Sequence, residues 1–150
     1  MDKVKESIHY VDTDSVFYVE REHEKLIPTG SFLGEMTDEI KEPYQITCFL
    51  GGGPKNYAYK MVNKHDPQDE KHVIKVRGIT MNYRTRLQIN FDYFKQLVKG
   101  EIEKRVVENP RKIKRKANFE IVSESEQKTH QSVHTKRRKI ENFETVPYGI

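Results

Sequence analysis

Short apolar runs alternating with charged segments set the elements of this chain. Residues 7–11 and 15–20 are rich in β-branched and aromatic side chains, as in Ile8-His9-Tyr10-Val11 and Val16-Phe17-Tyr18-Val19, and so predict two strands. Asp12-Thr13-Asp14 interrupts them with side chains that stabilise turns through nearby backbone, which makes a β-hairpin with its acids at the tip. A charged turn follows at 21–25, then Pro28-Thr29-Gly30. Phe32, Leu33, Met36 and Ile40 recur at helix-like or mixed spacing. Residues 44–50 predict a strand that runs into Gly51-Gly52-Gly53-Pro54, read as a stop and a flexible connection. Residues 56–62 alternate as a strand, 63–71 form a polar turn containing Pro67, and 72–76 make a third strand, together an antiparallel meander. Asn90 is a suitable N-cap for Phe91, Phe94, Leu97 and Val98 at helical spacing, with Gly100 as the stop. Residues 101–122 hold short apolar stretches divided by the basic run 111–116, and the polar segment 123–132 reads as a loop. The fold class expected is α+β: an antiparallel hairpin with carboxylates at the turn, a β-meander, and a smaller region with one main helix. There is no internal repeat.

A chain of 150 residues is long enough for a domain with its own core. Charged residues at 33% against 35% hydrophobic, with a mean hydropathy of -0.86, make it polar for a self-sufficient globule, while 10% aromatics argue for folded structure. The net charge of +4 and pI near 9.0 attract anionic partners, nucleic acid being the commonest for a basic domain. With Cys48 alone, neither an intramolecular disulfide nor a cysteine-rich zinc site can form, and a reducing compartment is expected. The sequence has no 18-residue apolar stretch and no signal-peptide core, so a soluble intracellular protein is expected, with no membrane partner. Lys136-Arg137-Arg138-Lys139 has the composition of a nuclear-import signal as much as of a phosphate contact.

The candidate chemistry begins with Asp12 and Asp14. Two aspartates one residue apart can converge on a divalent cation, since hard oxygen ligands are what Mg²⁺ takes in phosphate chemistry. A calcium loop is excluded by spacing: starting from Asp12, Phe17 falls where the turn glycine belongs and His23 where the bidentate Glu belongs. Gly51-Gly52-Gly53-Pro54-Lys55-Asn56-Tyr57 lacks the Walker pattern and its strand-loop-helix order, so it is no P-loop. The glycines allow close backbone approach, Lys55 offers a point charge and Tyr57 a flat face, the groups that hold a phosphate backbone and pack on a sugar or base. His130 and His134 have the spacing of a helical zinc pair but no third ligand in the sequence nearby.

Tyr10-Val11-Asp12-Thr13-Asp14-Ser15 resembles the Tyr-x-Asp-Thr-Asp-Ser motif of family B DNA polymerases, the carboxylate hairpin of the palm. Lys55-Asn56-Tyr57 resembles the Lys-x-Tyr motif that follows it in the protein-primed members, and Lys75-Val76-Arg77-Gly78-Ile79-Thr80 their next Lys-rich strand and Gly-x-Thr connection. Lys136-Arg137-Arg138-Lys139 and Thr145-Val146-Pro147-Tyr148-Gly149 are similar to the C-terminal end of polymerases carried by self-synthesising DNA transposons of the Maverick or Polinton kind. Motif identity is strong from Tyr10 to Ser15 and moderate from Lys55 to Tyr57.

The resemblance implies a C-terminal piece of such an enzyme, with residues 1–50 from the palm and 51–150 the palm end and a thumb-like DNA-binding region. It implies that Asp14 is the principal ligand of Mg²⁺ or Mn²⁺ in the intact enzyme, Asp12 an auxiliary ligand or an orienting group, and Tyr10, Thr13 and Ser15 the support of the hairpin. Lys55 and Tyr57 would hold primer-template DNA, and Lys75 and Arg77 would touch its backbone. The family's upstream Asp-x-x-Ser-Leu-Tyr-Pro-like strand and its fingers Asn-Ser-x-Tyr-Gly pattern do not occur in these residues. Deoxynucleoside triphosphates are therefore partners only together with those parts, and the chain alone is expected to be incomplete as a catalyst. The alternative is a non-enzymatic DNA-binding remnant of a transposon polymerase, in which the two acids are only a turn.

Overall fold

The computed structural model describes residues 7–21, 26–134, 137–141 and 144–147, with backbone alone at 111, 139 and 147. Much of the predicted turn at 21–25, together with Lys136, Tyr148 and Gly149, lies outside them. The fold of the described residues is α+β, mostly strand, in antiparallel sheets with two short helices. The chain forms two units, Met1–Ile46 with Val62–Glu70, and Thr47–Met61 with Lys71–Ile150.

In the first unit, β1 (Ile8–Asp12) pairs antiparallel with β2 (Ser15–Tyr18), joined by the two-residue turn Thr13-Asp14. Tyr10 lies opposite Phe17, their rings edge-on at 6.1 Å, the kind of cross-strand aromatic pair that fixes a register. Residues 32–40 are not helical. Phe32 and Leu33 are exposed at 81% and 107%, and Glu35 instead closes a local turn, accepting the Phe32 N–H on its carboxylate at 2.8 Å. On a helix these apolar residues would share one face, but Phe32 and Leu33 stand in solvent, so a helix here would gain no burial from them.

The strands β3 (Tyr44–Gly53), β4 (Asn56–Asn63) and β5 (Asp66–Lys75) form one sheet in that order. Their two-residue connections, Pro54-Lys55 and Lys64-His65, require antiparallel pairing. Two expectations are corrected here. Gly51, Gly52 and Gly53 belong to β3 rather than to a flexible connection, and most of 63–71 is strand rather than turn. Pro67 is compatible with β5 because that strand lies at the sheet edge. In the first unit's share of this sheet, Asp69 accepts from Tyr44 Oη at 2.6 Å and from Asn63 Nδ2 at 3.0 Å, which satisfies the polar residues that made the segment read as a loop.

The core belongs to the second unit. Ala58, Ile74, Ile79, Ile89, Phe91, Tyr93, Phe94 and Val107 are buried together, with Cys48, Leu50, Val76 and Val98 packed at their edge. The described residues hold two helices where the sequence predicts one main helix. α1 (Tyr83–Gln88) starts at Asn82, whose Oδ1 accepts the Thr85 N–H at 3.0 Å while Thr85 Oγ1 accepts the Asn82 N–H at 2.8 Å, a reciprocal cap. α2 (Phe91–Lys99) is the predicted helix, capped by Asn90 and ended by Gly100 in the left-handed conformation.

The largest departure follows. β6 (Lys104–Arg115) and β7 (Ile121–Gln131) form a long antiparallel ribbon, so the predicted loop at 123–132 is mostly strand. Its outer part exposes both faces and is held by paired backbone and cross-strand contacts such as Lys114 to Glu124 at 3.5 Å. β8 (Arg137–Lys139) pairs with β9 (Thr145–Pro147), so the described parts of the two C-terminal motifs lie against each other, with Arg137 Nε donating to Thr145 Oγ1 at 2.7 Å.

Candidate nucleic-acid interface and carboxylate hairpin

The hairpin tip follows from its residues. A two-residue loop between right-twisted strands demands left-handed backbone, and Thr13 supplies it at φ 55, an outlier for a β-branched side chain that costs about 1–2 kcal/mol. Local hydrogen bonds hold it: Ser15 Oγ donates to the Asp12 carbonyl at 3.1 Å, and Thr13 Oγ1 donates to Asp12 Oδ1 at 3.3 Å. Thr13 and Ser15 thus lock the turn, and Tyr10 braces β1 against Phe17. Asp12 ends β1 half-buried and Asp14 stands exposed in the turn. Two hard carboxylate donors on a short rigid element suit a Mg²⁺ ion in kind, yet are fewer than its six oxygen ligands. No group of three or more His, Cys, Asp or Glu side chains among the described residues is placed to hold a metal. By number, the pair alone falls short of a Mg²⁺ site. His130 lies on β7 with its ring buried, not on a helix with His134, which removes the zinc pairing.

The second unit assembles the other predicted residues. Lys55 sits at the tip of the β3–β4 turn with φ 55. That turn is clamped to the end of β7. The Val133 N–H donates to the Gly52 carbonyl at 2.8 Å, and Asn56 Nδ2 donates to the carbonyls of Gln131 at 3.1 Å and Gly52 at 3.3 Å. Gly53, at φ 123, lies so close to Val133 that a Cβ there would stand 2.0 Å from its carbonyl oxygen. The glycine run thus serves close backbone approach, not flexibility.

Asn56, the middle residue of the Lys-x-Tyr motif, is 5% exposed and bonds His130 at 2.8 Å. Because its amide nitrogen is committed to two carbonyls, its Oδ1 must accept, so His130 carries its proton on Nε2 and donates. Burial pushes the His130 ring down to about 4, and the Arg105 guanidinium acts in the same direction. His130 is neutral, and its Nδ1 is buried without a partner, as is the Tyr93 hydroxyl. Tyr93 and Phe94 pack on its ring, and Arg105 lies over Tyr93 at 4.0 Å.

Strand alternation puts Asn56 and Ala58 toward the core and Tyr57 and Tyr59 on the opposite face. There Phe49, Tyr57 and Tyr59 form a stacked row, with centroids 5.9 and 6.4 Å apart. Lys75, out of phase with buried Ile74, belongs to the same face. Arg77 follows the end of β5 and borders a recess of about 160 Å³ with Pro54, Asn56 and His130. Tyr57 and Lys75 therefore share a sheet face, and Arg77 adjoins the Lys55 turn. Asp12 and Asp14 belong to the other unit. The sequence assigns Asn56 and Tyr59 no role of their own and offers His130 only as half of a zinc pair, because a polar residue between two candidate contacts carries no local sign of burial.

Against protein-family models, curated proteins and solved structures, the chain has no match.

An aromatic row beside cations is suited to stacking bases and tracking a phosphate backbone. Tyr57→Ala is expected to weaken binding of a primer-template with a single-stranded overhang by about 1–3 kcal/mol. Gel-shift titrations at fixed salt check this; an unchanged affinity removes Tyr57 from the interface.

Proposed function

We propose that the chain is the C-terminal piece of a protein-primed family B DNA polymerase of the transposon-borne kind, contributing the palm's carboxylate hairpin and a thumb-like grip on primer-template DNA. The observation that carries the reading is the hairpin: the six motif residues Tyr10 to Ser15 fold as strand, two-residue turn and strand, with Asp12 and Asp14 at the tip. The reaction of the whole enzyme is transfer of a deoxynucleotide to a primer hydroxyl with loss of pyrophosphate. Asp14 would be the principal ligand of Mg²⁺ or Mn²⁺ and Asp12 the auxiliary one. The ions, when bound, supply a lowered pKa at the attacking hydroxyl and charge stabilisation at the leaving oxygen. Asp12, held by Thr13, keeps one carboxylate oriented without rearrangement. The Lys55 turn, fixed by Asn56 and His130, presents a cation to the DNA backbone, while Tyr57 and Lys75 offer a stacking face and a second charge. Triphosphate binding needs the upstream palm and fingers patterns absent from these residues.

The second reading, a DNA-binding protein without catalysis, is favoured by one observation: the aromatic and cationic face lies wholly within one unit with its own core. Primer extension separates the two acids from that face. This chain alone is expected to extend no primer, at the same background as Asp14→Ala. In a polymerase completed by upstream palm and fingers, Asp14→Ala is expected to abolish extension while leaving DNA binding intact. Extension by the isolated chain above the Asp14→Ala level contradicts the incomplete-site reading. Extension by the completed polymerase that survives Asp14→Ala contradicts the catalytic reading.

No helix among the described residues is long and apolar enough to cross a membrane.

A further inference from the structure

On the β6–β7 ribbon, Glu126 is held by three donors. Its Oε2 meets Lys112 Nζ at 2.6 Å, and its Oε1 meets Lys128 Nζ at 3.1 Å and Asn109 Nδ2 at 3.5 Å. Asn109 is 5% exposed, and its Oδ1 accepts the Thr80 N–H at 3.2 Å, so the amide is fixed with its donor end toward the carboxylate. Lys128 also donates to the Gly78 carbonyl at 2.6 Å, which anchors its long side chain. The Lys112 hydrogen bond, together with those from Lys128 and Asn109, holds the Glu126 carboxyl down at about 2 against the opposing effect of burial, so it is an anion at any working pH. Lys112, Lys128 and Asn109 border an open cleft of about 420 Å³ with Thr80 and Ile113.

Hairpin pairing does not require this arrangement; Lys114 and Glu124, two residues away on the same ribbon, make a single exposed contact at 3.5 Å. Two ammonium groups and a fixed amide N–H converging on one pair of oxygens are a donor set suited to phosphate oxygens. We infer that Lys112, Asn109 and Lys128 form an anion site for a nucleic-acid phosphodiester, and that Glu126 is its built-in competitor. The identification of the phosphate as nucleic acid rests on the DNA-binding part of the proposed function; the site itself does not. While Glu126 is seated, a phosphate must displace a carboxylate and gains little. Once it is removed, two further cations face the cleft.

Glu126→Gln tests this, since it keeps the side-chain shape and an acceptor but removes the charge. Labelled duplex DNA is titrated over a salt series with the wild-type chain, Glu126→Gln, and Glu126→Gln combined with Lys112→Met, with folding checked by circular dichroism. Glu126→Gln is expected to bind about tenfold tighter at low salt, with a log–log salt slope steeper by about 1–2, as for one or two added phosphate contacts. Lys112→Met is expected to cancel the gain. A folded Glu126→Gln that binds like wild type overturns the site and leaves DNA binding standing. Inorganic phosphate is titrated into the wild-type chain and Glu126→Gln, followed by NMR of the lysine side chains. Saturable shifts at Lys112 and Lys128 are expected in Glu126→Gln and much weaker ones in the wild type, where Glu126 holds both lysines; equal shifts in the two chains overturn Glu126 as the competitor. Phosphate binding without duplex binding by either chain overturns both the nucleic-acid source and the DNA-binding reading. Binding of neither overturns all of it.

Discussion

Gly53→Ala is expected to lower the stability of the second unit by about 3 kcal/mol or more, and to weaken DNA binding with it. Two costs combine. At φ 123 an L side chain is strained by about 1–3 kcal/mol. The added Cβ would also stand 2.0 Å from the Val133 carbonyl oxygen, a backbone atom that yields only if the turn leaves the end of β7. Such overpacking costs a further 1–3 kcal/mol or so. If the turn moves, the bonds from Val133 to Gly52 and from Asn56 to Gln131 are lost, and Lys55 loses its fixed position. Gly100→Ala is the control, because Gly100 has positive φ but open space around its Cβ position. It is expected to cost about 1–2 kcal/mol, from backbone strain alone. Urea unfolding of both variants measures the difference. Equal losses would mean that the clamp on the Lys55 turn is not as described.

Acid should loosen the same unit through His130. Its ordinary value of 6.5 applies to the unfolded chain, and the folded ring titrates near 4. Between those values the unfolded chain binds the proton and the folded one does not. The contribution of neutral His130 is therefore fully present above about 6.5, is lost as pH falls, and is exhausted below about 4. The gap corresponds to about 2 kcal/mol after allowance for residual solvent screening. Around the ring stand Arg105 on β6, Tyr93 and Phe94 on α2, and Asn56 on β4; Arg105 repels the added charge. His130→Gln keeps a donor for Asn56 Oδ1 and removes the titration. Its unfolding free energy is expected to change about 2 kcal/mol less than wild type between neutral and acid pH, a difference that carboxylates common to both chains cannot produce. Parallel curves would show that His130 is charged or solvated in the folded chain.

What the sequence shows and what it hides divide along the range of the information. The β1–β2 hairpin and α2 are legible because their signals lie within a few residues: turn-forming acids between β-branched runs, and Asn90 and Gly100 bracketing an apolar stripe. α1 is only six residues long, and its cap uses Thr85 where Glu or Gln is the usual partner, so neither period nor cap announced it. The ribbon was hidden for the opposite reason. Ser123, Glu124, Ser125, Glu126, Gln127 and Lys128 alternate no apolar face, and what makes them a strand is β6, with Lys112 and Lys114 across the hairpin. Gly51 to Gly53 misled because glycine serves flexibility and close packing alike, and Val133, the residue that decides between them, is remote in sequence. At the candidate site, residue types were readable at Asp12, Asp14, Lys55 and Tyr57. Their support was not, since the bond between Asn56 and His130 spans 74 positions.

The central claim is that the second unit grips primer-template DNA through the Lys55 turn and the Tyr57 face. It is tested most directly by fluorescence anisotropy of a labelled primer-template across a salt series, with the wild-type chain and Lys55→Ala. The account predicts a log affinity that falls linearly with log salt for the wild type, and for Lys55→Ala weaker binding with a slope smaller by about 1. No binding at the lowest salt, or identical curves for the two chains, would contradict it.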